Sequence, residues 1–71
     1  MYQVRFLESL STKWRTFGEA RDLGSARTRY RDLVSRVKAH HRSNVTAIRV
    51  VRMDLLDGAW RVREVVDYRD I

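Results

Sequence analysis

Cysteine and proline are both missing from the 71-residue chain. Without cysteine there is no disulfide framework and no thiolate metal site. Glycine is sparse: Gly18, Gly24 and Gly58 stand far apart. Neither a dinucleotide fingerprint nor a nucleotide-triphosphate loop can be built from isolated glycines. Long hydrophobic runs are missing too. The longest purely apolar run is two residues, against the roughly 20 that span a bilayer. Nothing has the pattern of a secretory signal. The expectation is a soluble cytoplasmic protein, a complete small gene product beginning at Met1.

Apolar residues make up 44% of the chain and Trp, Tyr and Phe 10%, enough to argue for a folded core over disorder. A chain this short buries roughly 60% of its extended surface on folding. That permits one thin core, hence a single domain over residues 1–71. A cleft that encloses a cofactor would use residues the core needs, so no cofactor is expected.

The charge is uneven. Fifteen Lys and Arg stand against nine Asp and Glu, giving +6. Residues 1–42 hold ten basic and four acidic residues, while 43–71 hold five of each. Arginine outnumbers lysine thirteen to two, and arginine is the better bidentate partner for phosphate and carboxylate. No long Lys/Arg run marks a disordered nucleic-acid tail.

Residues 2–8 alternate Tyr2, Val4 and Phe6 with Gln3 and Arg5, a period of two that predicts a strand. Ser9, Ser11 and Thr12 predict a turn. Residues 13–19 predict a second strand, with Trp14, Thr16 and Gly18 on one face and Arg15 and Phe17 on the other. A competing reading starts a helix near Thr16, but Gly18 and Gly24 oppose one long helix. Beyond Gly24, Ser25 is a suitable N-cap. Ala26, Tyr30, Leu33, Val34 and Val37 then recur at helical spacing. Arg27, Arg29, Arg31, Asp32, Arg36 and Lys38 line the opposite side. Lys38, His40, His41 and Arg42 gather at the helix end, where cations meet the negative end of the dipole, and Ser43-Asn44 ends it.

Residues 45–55 and 59–68 predict two further strands joined through Asp57-Gly58, a strong hairpin signal. In the last strand Trp60, Val62, Val66 and Tyr68 are expected on one face, with Arg61, Arg63 and Val65 on the other. In the third, Ile48 and Val50 oppose Val51, Met53 and Leu55. A bulge near Val50-Val51 would reconcile them, as would a sheet covered partly on both faces. The predicted class is α+β: a two-layer β-β-α-β-β domain with a four-stranded, mainly antiparallel sheet and one helix on one face.

Chemistry is thinly represented. His40 and His41 are the only histidines, with no cysteine to complete a zinc set. Glu64 lies between Val62 and Val66, where a carboxylate is costly unless paired. The expectation is an ion pair with Arg52 across the hairpin. No catalytic set and no metal ligand is assigned.

Surfaces remain. With Tyr2, Val4, Phe6, Trp14, Ile48, Val50, Trp60, Val62, Val66 and Tyr68 facing the helix, the other face mixes arginine with apolar residues, as interfaces do. The first reading is a small non-enzymatic regulatory or adaptor protein, of accessory or phage type, that acts by protein contact and forms a homodimer. Its expected interface is Phe17, Val51, Met53 and Val65, with Arg61 and Arg63. The alternative is a basic nucleic-acid-binding domain. Its phosphate contacts would be Arg5, Arg15, Arg27, Arg31, Arg36, Lys38, Arg61 and Arg63.

Overall fold

A computed structural model describes residues 1–40 and 44–71, His40 through its backbone alone. The histidine cluster expected at His40 and His41, with Arg42 and Ser43 beside it, therefore lies outside the described side chains. The chain runs β1 (Tyr2–Glu8), β2 (Arg15–Ala20), α1 (Leu23–His40), β3 (Val45–Leu56) and β4 (Ala59–Asp70). The expected element order and the α+β class hold. The sheet order is β2-β1-β3-β4, and every neighbouring pair is antiparallel. Strands β2 and β3 therefore run in the same direction on either side of β1. Such a connection needs a crossover, and α1 supplies it.

The helix begins two residues before the expected cap. An Asp22 carboxylate oxygen accepts the Ser25 backbone N–H at 2.8 Å, and the other accepts the Ser25 hydroxyl at 3.0 Å. Asp22 is thus the N-cap, and Ser25 sits in the first turn as its donor. Those hydrogen bonds hold the Asp22 carboxyl below its ordinary value of 3.8. A carboxyl with a depressed folded value contributes stability above 3.8 and loses it as pH falls through the folded value. Replacing Asp22 with Ala is expected to lower the melting temperature by roughly 4–8 °C at neutral pH. The gap should close well below pH 3.8, and paired thermal melts at the two pH values check it.

Ala26, Leu33, Val34 and Val37 are buried against Val4, Ile48 and Val50, with Leu23 and Tyr30 packed alongside. The helical stripe read from the spacing is the core stripe. The helix lies over β1, β2 and β3. It reaches β4 through Val66 and an Arg27–Asp67 ion pair of 2.9 Å. No described helix is long and apolar enough to cross a membrane.

A slip against β1 leaves Thr46 as an extra residue, and from Ala47 to Leu56 strand β3 alternates without interruption. Ile48 and Val50 face the helix, while Ala47, Val51 and Met53 are buried on the other side, outside that cluster. Partial cover on both faces, the second of the two expected solutions, accounts for its mixed pattern. Against β4 the extra residues belong to the neighbour. Across β3–β4 the register slips between Val50 and Val51, and again between Arg52 and Met53. These slips leave Val66 and Arg63 as the additional β4 residues, because Val51 pairs with Val65 and Met53 with Val62.

Each slip turns the following side chains over. Trp60, Val62 and Tyr68, expected toward the helix, lie on the open face opposite Leu55, Met53 and Arg49. Arg61 is paired opposite Asp54 and Arg63 donates to the Asp54 carboxylate at 2.6 Å, so both arginines leave the open face expected of them. Glu64 pairs with Arg52 in register and by an ion pair of 3.7 Å. This is the predicted partner, in an exposed setting.

A further slip between Val4 and Arg5 affects β2, where Val4 opposes Gly18 and Arg5 opposes Thr16. Phe17 is the extra residue and packs on the helix-side cluster. Arg15 follows it to that side, with its guanidinium 5.9 Å from the Phe6 ring centre. Both residues were expected on the open face. Trp14, expected toward the helix, instead lies against Arg49 on the open face.

The β3–β4 turn follows its sequence signal. Asp57 (φ 50°) and Gly58 (φ 78°) are both left-handed, as the favoured two-residue hairpin turn requires. Leu10 is also left-handed, at φ 65°, in the exposed β1–β2 turn closed by Ser11 N–H to the Glu8 carbonyl.

Candidate interaction surface

The register defines the open face as rows across the sheet. One row is Glu19–Gln3–Val51–Val65, the next Thr16–Arg5–Arg49–Tyr68, and a third Leu7–Ala47–Asp70. Beyond β1, only β3 and β4 continue, adding Met53–Val62 and Leu55–Trp60. Strand β1 ends where the Met1 carbonyl accepts the Met53 N–H. The outer part of the β3–β4 hairpin therefore stands clear of the rest of the sheet.

That outer part is apolar and open to solvent. Leu55 is 56% exposed, Trp60 52%, Val62 41% and Val65 47%. They form one strip, because they occupy successive rows on one face. Strand β4 is also an edge, with twelve residues and, among the described residues, no strand on its far side. Long exposed apolar edges template pairing with another chain, and proteins ordinarily blunt them. This edge has no proline and does not end early, and its two bulges, at Arg63 and Val66, leave Ala59–Val62 regular. Its charges cancel: Arg61, Arg63 and Arg69 against Glu64, Asp67 and Asp70.

The inner part of the face is polar and organised. The Arg49 guanidinium lies 4.2 Å from the Trp14 ring centre, and Trp14 meets Tyr68 edge-on at 6.2 Å. Burial, and then the charge of Arg5 beside it, push the Arg49 guanidinium below its ordinary value. Its Nε is buried and has no hydrogen-bond partner among the described residues. Arg5 donates from Nε to Gln3 at 2.9 Å, and Gln3 in turn donates to Glu19 at 3.0 Å. The Tyr68 hydroxyl donates to Asp70 at 2.8 Å, and this bond, with burial next, raises the phenol above its ordinary value.

The residues singled out from the sequence are thus redistributed. Val65 is exposed on the open face, while Val51 and Met53 lie on that face but are closed off by their neighbours. Phe17, Arg61 and Arg63 are on the helix side, the two arginines beyond the helix itself. Among the arginines proposed for phosphate, Arg15 pairs with Glu8, Arg27 with Asp67, Arg36 with Asp32 and Arg63 with Asp54. Arg31 and Lys38 are exposed on the outer side of α1. Sequence reading does not single out Leu55, Trp60, Val62 or the Trp14–Arg49–Tyr68 cluster. Their signal, an aromatic at each end of β4, is present in the sequence, but alternation alone assigns it to the core. Among the described residues, no group of three or more His, Asp or Glu side chains is placed to share a metal ion.

No family model, curated protein or solved structure matches this chain at a significant level.

Proposed function

We propose that this protein is a small non-enzymatic regulatory or adaptor module that acts by protein contact, and that its β4 edge pairs two copies as a symmetric homodimer. The observation that carries this reading is the exposed strip Leu55–Trp60–Val62–Val65 beside a twelve-residue edge strand. Edge and strip lie together, so a second chain can take up backbone hydrogen bonds and apolar side chains at once. Self-pairing is supported by charge. A protein of net charge +6 repels its copy in general, but β4 carries three charges of each sign and is locally neutral. An antiparallel two-fold contact also places one patch against itself, which a strip of mixed sign tolerates.

Phosphate binding through arginines is the weaker proposal. Four of its eight cations are already ion-paired, and the other four do not share a surface: Arg5 is on the open face, Arg31 and Lys38 on the helix, Arg61 at the hairpin end. Sedimentation at about 100 μM, well above the micromolar affinities of small interfaces, is expected to give twice the chain mass. A monomer mass at that concentration overturns the homodimer.

A further inference from the structure

We infer that the Arg5–Arg49 pair on the open sheet face is a receptor for a single carboxylate presented by a protein partner. This deepens the contact reading above by naming the chemistry the partner brings. The two arginines are directly opposed across β1 and β3, a separation of about 5 Å between β-carbons. Like charges so placed destabilise a sheet unless something neutralises them. Neither has an ion-pair partner among the described residues, although other arginines of the chain do.

The pair is held in position before any ligand arrives. Gln3, itself bonded to Glu19, accepts from Arg5, while the Trp14 ring lies over the Arg49 guanidinium, its centre 4.2 Å away. An aromatic ring over the guanidinium face does not occupy its in-plane donors, and the terminal nitrogens are donors that fit an oxyanion. The unpartnered, buried Arg49 Nε is a donor for which the fold itself supplies no acceptor.

The neighbours select the ligand. Glu19 lies toward the β2 side of the pair, and Asp70 is one row away on β4. A phosphate strand that crossed the face would run over these carboxylates. A lone carboxylate needs only the two arginines. The apolar strip of Val65, Val62 and Trp60 leads away from the pair along the hairpin. The matching partner segment therefore combines one acidic side chain with apolar ones.

The test uses the full chain and three probes: a short peptide with one glutamate between leucines, the same peptide with glutamine, and single-stranded DNA of about ten thymidines. Nitrogen-edited NMR follows the Arg49 Nε–H and the Trp14 indole N–H. The glutamate peptide is expected to give saturating shifts at both, and the glutamine peptide to bind about fivefold more weakly or worse. Arg49→Gln and Arg5→Gln should each cost a similar factor while melting cooperatively. Arg49→Lys should fall between, because it keeps the charge and loses the fork. Equal binding of the two peptides overturns the inference, as does no saturation by about 20 mM, beyond the millimolar range of the weakest specific contacts. Tighter binding of the oligonucleotide overturns it in favour of phosphate. A monomeric protein that still distinguishes glutamate from glutamine supports the site and removes only self-pairing. A dimer that does not distinguish them overturns the site and leaves self-pairing standing.

Discussion

Leu33→Asp is expected to abolish the cooperative thermal transition. Leu33 is 7% exposed and points from the middle of α1 into the cluster of Val4, Ile48 and Val50. Losing a buried leucine costs about 2–5 kcal/mol on its own. An unpaired carboxylate in its place adds several kcal/mol more, on the order of the whole 5–15 kcal/mol that holds a domain together. The core cannot spread the loss. One helix supplies the whole second layer, and the three fully buried strand residues of this cluster all lie beneath it. Ser35→Asp on the exposed side of the same helix is the control and should melt like the parent. A cooperative melt of Leu33→Asp near the parent temperature, followed by circular dichroism, would show that the helix does not close this core.

Placing lysine at both Val62 and Val65 is expected to make the protein monomeric at about 100 μM, with its melting temperature nearly unchanged. In a two-fold contact every substitution acts twice, so four new cations meet at one interface and oppose association by about a hundredfold or more. Both side chains are more than 40% exposed within one copy, so the isolated fold loses little. The measurement is sedimentation beside a thermal melt. A variant that stays dimeric would move the contact elsewhere. A variant that unfolds would show that these valines support the sheet in the single copy. The Asp54–Arg63 bond nearby is a useful internal check. Arg63 holds the Asp54 carboxyl below its ordinary value, so this link persists at neutral pH and is lost only as acid reaches the folded value.

Much of this architecture is legible in the sequence, because it depends on local chemistry. The helix stripe from Ala26 to Val37 is a matter of spacing, and its burial follows from having one apolar side. The Asp57-Gly58 turn is legible because two positive φ angles are tolerated by few residue pairs. Counting outward from that turn sets Arg52 opposite Arg63, and only the slip that makes Arg63 the extra residue brings Glu64 to Arg52. The cap lies three residues before the Ser25 that the spacing suggests. Asp22 and Ser25 are both capping residues, and the choice lies in a hydrogen bond that only the folded turn reveals.

What the sequence by itself determined is the list of elements, their order, the buried side of the helix and the excess of arginine. The tertiary structure decided which face of β2 and β4 each side chain takes. Alternation is read by assuming an unbroken ladder, and three register slips, at Phe17, Arg63 and Val66, break it. A bulge is a relation between two strands and has no period within either one. After it, and up to the next one, each residue points the opposite way. The two slips of β4 let Val66 stay toward the helix while Trp60, Val62 and Tyr68 take the open face in register with Leu55, Met53 and Arg49. Strand order did the rest. With β1 and β3 in the centre, Arg5 and Arg49 become neighbours although 44 residues separate them, and β4 becomes an edge. Neither result can be counted along the chain, because each depends on which strands the helix crossover brings side by side.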